Sequence, residues 1–396
     1  MWFMFVICMI AGCLTSFAAD IYAPSLPGIA ENLHAQIEQV QFSMAVYLFG
    51  VALAQLVFGP LSEGLGRKSP WIMGTVIMFI GSLICYLAPT IEVLIAGRFI
   101  QGIGAGSSAV LWRVVFRDLY NKEQLAKMGS YGVIFVMFII PVAPALGGFL
   151  DSTFNWRASF LFMLGYTGVV LLLLLFGYKE TSKHHQRERL KFSYVGKTFL
   201  LMLTNRVFMG TTMSTFLTYG SFFSWFVVGP VLLIEGVGIS SEEFGQLMCL
   251  WVGLAFFAGG LLNGRLVTRW GIPAMMRLGW ALQIAAGALL FAGKMWMGLT
   301  LWSVLLPIMM LFFGCTFIWP NANATAFAPF GHIAGYAGAL YGSLQMAGGA
   351  VMGSLLAFLP HESQLPLALA ILTSSALAWI VYEKVVQAEA KEALPS

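Results

Sequence analysis

The stretch GPLSEGLGRK, residues 59–68, decides the fold, because a related stretch, GRLVTRWG, returns at residues 264–271. Both stretches join one apolar run to the next, and the distance between them is about half of the 396-residue chain. Three positions repeat with the same spacing, 205 residues apart: Gly59 and Gly264, Leu61 and Leu266, and Gly66 and Gly271. An internal repeat of this length predicts two halves with the same order of elements.

The composition is that of a membrane protein. Hydrophobic residues make up 59% and charged residues 10% of the chain, whereas soluble domains carry about 25% charged residues. Twelve apolar runs are long enough to cross a hydrocarbon core of about 30 Å, which takes about 20 helical residues. They cover residues 2–33, 38–62, 71–89, 91–117, 124–150, 156–178, 197–233, 244–268, 273–293, 299–328, 334–359 and 364–386. The sequence therefore predicts an all-α integral membrane protein with twelve transmembrane helices.

The longest polar connection, KETSKHHQRERLKFSY at residues 179–194, divides the twelve runs into six and six. We expect an N-terminal six-helix half at 1–178, a basic cytoplasmic linker at 179–196, a C-terminal six-helix half at 197–386 and a cytoplasmic tail at 387–396. Two such pseudo-symmetric halves are typical of transporters that bind a small molecule between the halves, near the middle of the bilayer.

The distribution of lysine and arginine predicts the orientation, because cytoplasmic loops hold the excess of these residues. If residue 1 lies at the cytoplasmic side, seventeen lysines and arginines fall in cytoplasmic connections or the tail, and two, Arg157 and Lys294, fall outside. Both termini are therefore expected in the cytoplasm. The net charge of +4 follows from this topology and indicates no nucleic-acid partner.

Several motifs resemble those of the major facilitator superfamily. GPLSEGLGRK is similar to its loop signature, AGRFIQGIGAG (96–106) to its fourth-helix signature, and PVAPALGGFLDSTFNWRASF (141–160) to its fifth-helix antiporter motif. Four further stretches resemble the Bcr/CflA drug-resistance branch: ADIYAPSLP (19–27), FRDLY (116–120), KET (179–181) and VGPVLLIEGVG (228–238). The resemblance implies the major facilitator fold and a monomeric, proton-coupled antiporter of the bacterial inner membrane. Such a protein exports drug-like or amphipathic small molecules by alternating access and uses the proton gradient, with no cofactor.

Two of these motifs are expected to control conformation. The loop signature predicts a latch that holds the cytoplasmic ends of the helices together, formed by Gly59, Glu63, Gly66, Arg67 and Lys68. The alternative is an ordinary positively charged cytoplasmic loop. In the antiporter motif, Pro141, Pro144, Gly147 and Gly148 permit bending and close helix contact. The resemblance implies that this segment favours antiport over leak, and helix packing alone is the alternative.

Asp20 and Arg98 lie inside predicted spans, where an ionised side chain costs about 2.5–3.5 kcal/mol on insertion scales and is functional by default. If the first and fourth helices both line the central cavity, as the resemblance implies, the two side chains are partners in proton coupling. Asp20 either carries the coupled proton or only holds Arg98 in place. Pro24 and Pro27, which follow Asp20, are expected to bend the first helix or end it early.

Arg113 lies 15 residues beyond Arg98 in the fourth span. It either faces the cavity, where it would favour an anionic substrate, or extends to the cytoplasmic headgroups. The other expected members of the substrate cavity are polar or aromatic: Tyr22, Tyr47, Gln55, Gln101, Thr215, Tyr219, Trp225, Trp319, Asn321, Asn323 and Gln345. Such residues predict a roomy pocket with few fixed contacts.

Other classes of function are disfavoured. The spans contain no HExxH or GxSxG run, as embedded enzymes would require, and the chain has no P-loop for direct use of ATP. No metal site is expected, because the five cysteines are isolated and His184–His185 lies in the predicted linker. We therefore expect a secondary transporter and not an enzyme, with the lipid bilayer and a small-molecule substrate as its partners. The alternative substrate is an endogenous anionic metabolite or siderophore, exported or imported on the same scaffold.

Overall fold

The computed structural model describes residues 2–120, 122–182, 191–359 and 363–389, and within these ranges the chain is helical with no strand. Nine helical segments of the described ranges are long and apolar enough to cross a membrane. The predicted all-α membrane fold is confirmed. His184–His185 and most of the basic linker lie outside the described residues, as does the tail beyond residue 389.

The first six crossings are formed by helices that alternate in direction. Their bounds are α1 (Trp2–Asp20), α2 (Leu26–Asn32), α3 (Ile37–Leu65), α4 (Lys68–Leu87), α5 (Ile91–Leu119), α6 (Lys122–Thr153) and α7 (Arg157–Leu172), which continues as a π-helix over Leu173–Gly177. The predicted topology places the α3–α4 and α5–α6 connections at the cytoplasmic side, and this end of the molecule is called cytoplasmic below.

The second set begins with a short separate helix, α8 (Phe192–Leu203), which the sequence did not predict. The Asn205 side chain accepts a hydrogen bond from the Phe208 amide at 2.9 Å and caps the next helix, so the seventh crossing starts at Arg206 and not at 197. The helices that follow are α9 (Arg206–Pro230), α10 (Ser241–Leu247), α11 (Gly253–Met297), α12 (Leu301–Phe327), α13 (Ala334–Ala357) and α14 (Leu365–Val381).

The repeated glycines occupy matching turns. Gly66, between α3 and α4, has φ 88° and ψ 177°, and Gly271, within α11, has φ 79° and ψ 163°. This region of backbone conformation is open almost only to glycine. Gly271 therefore divides α11 into two crossings, as Gly66 divides α3 from α4, and the repeat seen in the sequence is a repeat of turn geometry.

The first helix ends at Asp20, as the prolines predicted. A 3-10 turn over Ala23–Ser25 follows, with Pro24 in its first turn, and α2 then starts at Leu26 with Pro27 as its second residue. Asp20 therefore closes a helix and does not lie inside one.

The two sets of helices meet along two seams. Helix α3 packs along α13, and the outer part of α6 packs against α10. At the outer end, the Gln41 side chain donates a hydrogen bond to the Val227 carbonyl at 2.9 Å, which links α3 to α9. These seams enclose the residues described next.

Candidate functional site

Arg98 is completely buried and is held by neighbours other than Asp20. Its Nη1 donates hydrogen bonds to the Ala18 carbonyl at 2.8 Å and to Gln101 Oε1 at 2.6 Å. Its guanidinium lies 4.3 Å from the ring centre of Tyr22 and 4.2 Å from that of Tyr47. Cation–π contacts of this kind stabilise a desolvated arginine by about 2 kcal/mol or more. The arginine is thus anchored by a carbonyl, an amide and two aromatic rings.

Those neighbours are fixed in turn by their own hydrogen bonds. The Tyr47 hydroxyl donates to the Thr15 carbonyl at 2.8 Å, and the Tyr22 hydroxyl pairs with Ser43 at 2.9 Å. The Gln101 amide donates to Ser82 at 2.9 Å. The structure therefore brings Tyr22, Tyr47 and Gln101 together around Arg98, which makes them a rigid cage and not open surface.

Asp20 lies beside this cage, with only 4% of its surface exposed. Arg98 acts on its carboxylate electrostatically, but across the described residues the carboxylate has no hydrogen bond and no ion pair within 4.0 Å. Asp20 and Arg98 are therefore neighbours that interact electrostatically without the direct contact that the sequence predicted. Asp20 also acts electrostatically on Tyr47 and on Tyr219 of α9, which places it at the seam between the two sets of helices.

An aromatic surface lies on the second set of helices, and one of its rings, Tyr219, interacts electrostatically with Asp20. Tyr219 lies 5.9 Å from Trp319 and 6.3 Å from Phe223 by ring centres. Tyr219 and Trp319 are half-buried, and the Trp319 indole nitrogen has no hydrogen-bond partner among the described residues. Gln345 on α13 is also half-buried. Tyr219, Trp319 and Gln345 are thus half-buried members of the predicted cavity set.

Three predicted cavity residues do not join this surface. Trp225, on α9, is fully buried against the segment after α10, where its indole donates to the Met248 sulfur at 3.1 Å. Asn321 pairs with Asn263 at 2.9 Å, and Asn323 donates to the Trp319 carbonyl at 3.0 Å. These contacts satisfy polar groups within and between helices, so packing accounts for all three.

The fifth-helix motif packs directly against the end of α1. A Cβ atom on Gly147 would overlap the carbonyl oxygen of Ile21, the residue after Asp20, and one on Gly148 would overlap the carbonyl oxygen of Ser241. In return, a Cβ atom on Gly245 of α10 would lie 2.7 Å from the Pro144 carbonyl oxygen. The motif therefore connects the backbone beside Asp20 to the second set of helices.

Arg113 is exposed, although it lies between the two sets of helices. Its neighbour Val114 packs with Val110 and with Ala339 of α13, and Arg113 itself acts electrostatically on Tyr341 of the same helix. The guanidinium lies 5.1 Å from the Trp112 ring centre. Two other predicted residues border this region: Thr215, which donates to the Thr212 carbonyl at 2.9 Å, and Gln55, whose amide nitrogen has no partner within the described ranges.

The predicted latch residues form a compact charge cluster at the cytoplasmic end. Arg67, which is 5% exposed, pairs with Glu63 at 3.2 Å and with Asp118 at 2.8 Å. Glu63 also reaches α13, because a Cβ atom on Gly335 would lie 2.8 Å from its Oε1 atom, and one on Gly59 would lie 2.6 Å from the Ala339 Cβ. The loop signature is therefore a buried junction across the seam and not an ordinary exposed loop.

Glu180, which the sequence assigned no role, completes this cluster. Its carboxylate accepts hydrogen bonds from the Arg67 and Lys68 amides at 2.9 and 3.0 Å and so caps the start of α4. Burial raises its pKa, but the amides of Arg67, Lys68, Ser182 and Thr181 outweigh burial and lower the pKa below the usual value. The KET and FRDLY stretches held the signal, since Glu180 and Asp118 are acids among basic residues.

The described residues contain no group of three or more histidine, cysteine or acidic side chains that would hold a metal ion. The buried donors and acceptors instead serve helix contacts and the Arg98 cage. The site as a whole therefore offers one buried acid, one caged arginine, one exposed arginine and an aromatic surface.

A bundle of apolar helices with buried charges between them is typical of membrane transporters, and comparison with known proteins agrees. The Major Facilitator Superfamily model matches residues 8–353. The chain belongs to the Major Facilitator Superfamily, and so is a multi-pass membrane transporter.

The most similar relatives include drug-resistance proteins. The chain is 29% identical to the bicyclomycin resistance protein homolog of Haemophilus influenzae, covering 92% of each chain. It is 32% identical to multidrug resistance protein D of Escherichia coli, covering 88% of this chain and 86% of the relative. A chloramphenicol resistance protein of Pseudomonas aeruginosa is 27% identical over 91% of this chain and 85% of its own. The resemblance to the Bcr/CflA branch is confirmed.

Among solved structures, the xylose transporter XylE of Escherichia coli in a partially occluded inward-open conformation matches with a TM-score of 0.76, covering 97% of each chain at 15% identity. At this identity the match concerns the fold alone. The major facilitator fold is confirmed.

Proposed function

We propose that this chain is a proton-coupled antiporter that exports drug-like or amphipathic small molecules from the cytoplasm by alternating access. It acts as a monomer in the bacterial inner membrane, with both termini in the cytoplasm, and uses the proton gradient without a cofactor. The observation that carries the proposal is Asp20, a buried carboxylate at a helix end that has no hydrogen bond or ion pair among the described residues.

The surroundings of Asp20 provide a route for coupling. The proton affinity of a buried acid depends on desolvation and on nearby charge, and both change when neighbouring helices move. Helix α6 contacts the backbone beside Asp20 through Gly147 and contacts α10 through Gly148. A movement of the second set of helices is therefore transmitted to the immediate environment of the acid.

The structure also bears on the alternative role of Asp20. Arg98 is held by the Ala18 carbonyl, by Gln101 and by two tyrosine rings, so its position does not depend on an ion pair with Asp20. This arrangement favours Asp20 as the proton carrier over Asp20 as the residue that only orients Arg98.

Transport by the purified chain in proteoliposomes with an imposed pH gradient tests the proposal. Bicyclomycin and chloramphenicol, to which relatives are named as resistance proteins, are the first substrates to test. We expect wild type to accumulate them against their gradient, and the exposed outer variant Glu92→Gln to do the same. Asp20→Asn should lose gradient-driven accumulation while it still exchanges labelled for unlabelled substrate.

Accumulation that is unchanged in Asp20→Asn would contradict proton coupling at this residue. A wild-type protein that moves neither compound would contradict the drug-export assignment for these two compounds. Loss of both accumulation and exchange in Asp20→Asn would contradict the role of Asp20 as proton carrier, because an antiporter that lacks only its proton-binding group still exchanges its substrate.

A second candidate, favoured by Arg113, is a transporter of an endogenous anionic metabolite or siderophore. A cation that is exposed between the two sets of helices attracts negatively charged solutes. Competition by a panel of carboxylates in the same proteoliposomes distinguishes the candidates, since a drug exporter without anion preference would show no competition.

A further inference from the structure

We propose that Arg113 and Tyr341 form an anion-binding subsite that receives the carboxylate, or a similar anionic group, of the transported molecule at the cytoplasmic side of the cavity. This inference rests on the proposed transport function and deepens it by naming a chemical class of substrate. It concerns an end of the cavity that is separate from the Asp20 and Arg98 region.

The two side chains lie at matching depth on helices from opposite sets. Arg113 is six residues before the end of α5 and Tyr341 is seven residues after the start of α13, so both lie about 10 Å inside the helix ends at 1.5 Å per residue. Val114, next to Arg113, packs against Ala339, two residues before Tyr341, so α5 and α13 meet at this depth and the two side chains interact electrostatically.

Arg113 lacks a counter-charge. Within the described residues it forms no ion pair, and its one cation–π neighbour, Trp112, lies on the same helix. Unlike Arg98, which is caged and fully buried, Arg113 is exposed. A guanidinium presents five donors in a fixed fork that matches a carboxylate. The exposed fork is therefore available to a solute.

Tyr341 supplies an independent indication of a ligand. Only 2% of this residue is exposed, yet its hydroxyl has no hydrogen-bond partner within the described part of the chain. Thr215 lies beside the phenol without a hydrogen bond of normal geometry to it, and its own hydroxyl donates to the Thr212 carbonyl at 2.9 Å. Thr211, one turn earlier, also has an unpartnered hydroxyl. Buried polar groups normally have partners, so unpaired hydroxyls next to an unpaired cation indicate a place for an acceptor.

The subsite also explains how an amphipathic acid would fit. Arg98 and Arg113 are 15 residues apart on one helix, about 22 Å along its axis, and the aromatic surface of Tyr219 and Trp319 belongs to the cavity between the two sets of helices. An anionic group at Arg113 leaves the apolar part of the molecule free to reach these rings.

Thiol labelling of a reporter cysteine tests the subsite without the need for a known substrate. In Tyr341→Cys, the rate of modification is measured with an anionic sulfonatoethyl methanethiosulfonate and with its cationic trimethylammonium analogue. Unmutated protein provides the blank, because four native cysteines are buried and Cys249 is half-buried. Thr215→Cys serves as a second reporter if the first variant does not fold.

We expect the anionic reagent to react faster than the cationic one, and this ratio to fall about tenfold when Arg113→Gln is added, because two reagents of opposite charge respond in opposite directions to one lost cation. Arg113→Lys should keep most of the ratio. A ratio of anionic to cationic labelling rates that is unchanged by Arg113→Gln would overturn the proposal.

Protection from labelling identifies the ligand class. Chloramphenicol succinate, which carries a carboxylate, should slow modification at a lower concentration in the Arg113 protein than chloramphenicol, its neutral parent. Equal protection by both compounds, or protection by neither, would overturn the anion assignment. If instead the proposed export function fails, neither bicyclomycin nor chloramphenicol accumulates in wild-type proteoliposomes, while the labelling ratio still depends on Arg113. The two failures are therefore distinguishable.

Discussion

Arg98 donates a hydrogen bond to the carbonyl oxygen of Ala18 at 2.8 Å, two residues before Asp20, and within the described residues it forms no ion pair with the Asp20 carboxylate. The arginine therefore fixes the end of α1 through its backbone. The acid itself remains available for a proton, next to a positive charge that it does not neutralise by contact.

Asp20→Asn should consequently leave the fold intact. A buried carboxylate without hydrogen bonds is costly in its charged form, and asparagine has the same shape without that charge. We expect a thermal unfolding midpoint in detergent at pH 7 that equals or exceeds that of wild type. Arg98→Gln should lower it by several degrees, because it removes the cation–π contacts and the bond to Ala18. An Asp20→Asn midpoint as low as that of Arg98→Gln would show that the acid is structural.

Gly147 should tolerate no side chain. A Cβ atom there would overlap the Ile21 carbonyl oxygen, so α6 would have to move away from the end of α1. We expect Gly147→Ala to reduce the transport rate at least tenfold at equal protein in the membrane, and Gly147→Val to abolish it. Gly165→Ala in α7 is the matched control, since nothing lies within 4 Å of the added atom. Wild-type transport by Gly147→Val would contradict the role of this contact.

Gly271→Ala tests the turn that divides α11. The added Cβ meets only the Pro273 ring at 3.8 Å, so the cost is that of the backbone conformation, φ 79° and ψ 163°. Such a conformation costs a non-glycine residue about 1–3 kcal/mol, which denaturant unfolding in mixed micelles would measure. Gly264→Ala, in helical backbone with open space around it, should be neutral or stabilising. Equal effects of the two substitutions would contradict the repeat of turn geometry.

Glu180→Gln should weaken the cytoplasmic junction in a pH-dependent way. Hydrogen bonds from backbone amides hold the pKa of Glu180 below its usual value of 4.5. The contribution of Glu180 to stability is therefore complete above pH 4.5 and is lost as the pH falls through the lower, folded-state pKa. We expect wild type to have the higher unfolding midpoint at pH 7 and the difference from Glu180→Gln to shrink below pH 4.5. Glu31, an exposed acid at the outer end of α2, serves as the control position. A difference that grows as the pH falls would contradict the capping role.

The fold was predictable because hydropathy, basic loops and the repeated glycines each report a local property. The bilayer fixes the length of every span, and the turn at Gly66 and Gly271 requires glycine wherever it occurs. The early end of the first helix followed from the prolines for the same reason, because proline removes a backbone donor locally, although its position at Asp20 did not. Helix α8 was missed because its apolar residues 199–203 are separated from those of α9 by only three polar residues, Thr204, Asn205 and Arg206, and the Asn205 cap marks the boundary.

The site was predictable as a set of polar residues in the spans but not as a set of contacts. Arg98 was expected to pair with Asp20, whereas its hydrogen bonds go to the Ala18 carbonyl, which no sequence pattern specifies, and to Gln101, three residues further along the same helix. Trp225 is an aromatic residue of the kind expected in a cavity, and only the position of Met248 shows that it is a packing residue. Glu180 joins Arg67 across 113 positions, a pairing that depends on tertiary structure.

The most direct test of the central claim is proton release on substrate binding. Purified protein in weakly buffered detergent solution is mixed with whichever of chloramphenicol or bicyclomycin the proteoliposomes transport, and the pH is followed with an indicator dye. Reciprocal coupling between proton and substrate predicts release of about one proton per bound molecule by wild type and by Glu92→Gln, and none by Asp20→Asn. Equal proton release by Asp20→Asn and wild type would contradict the assignment of the coupled proton to Asp20.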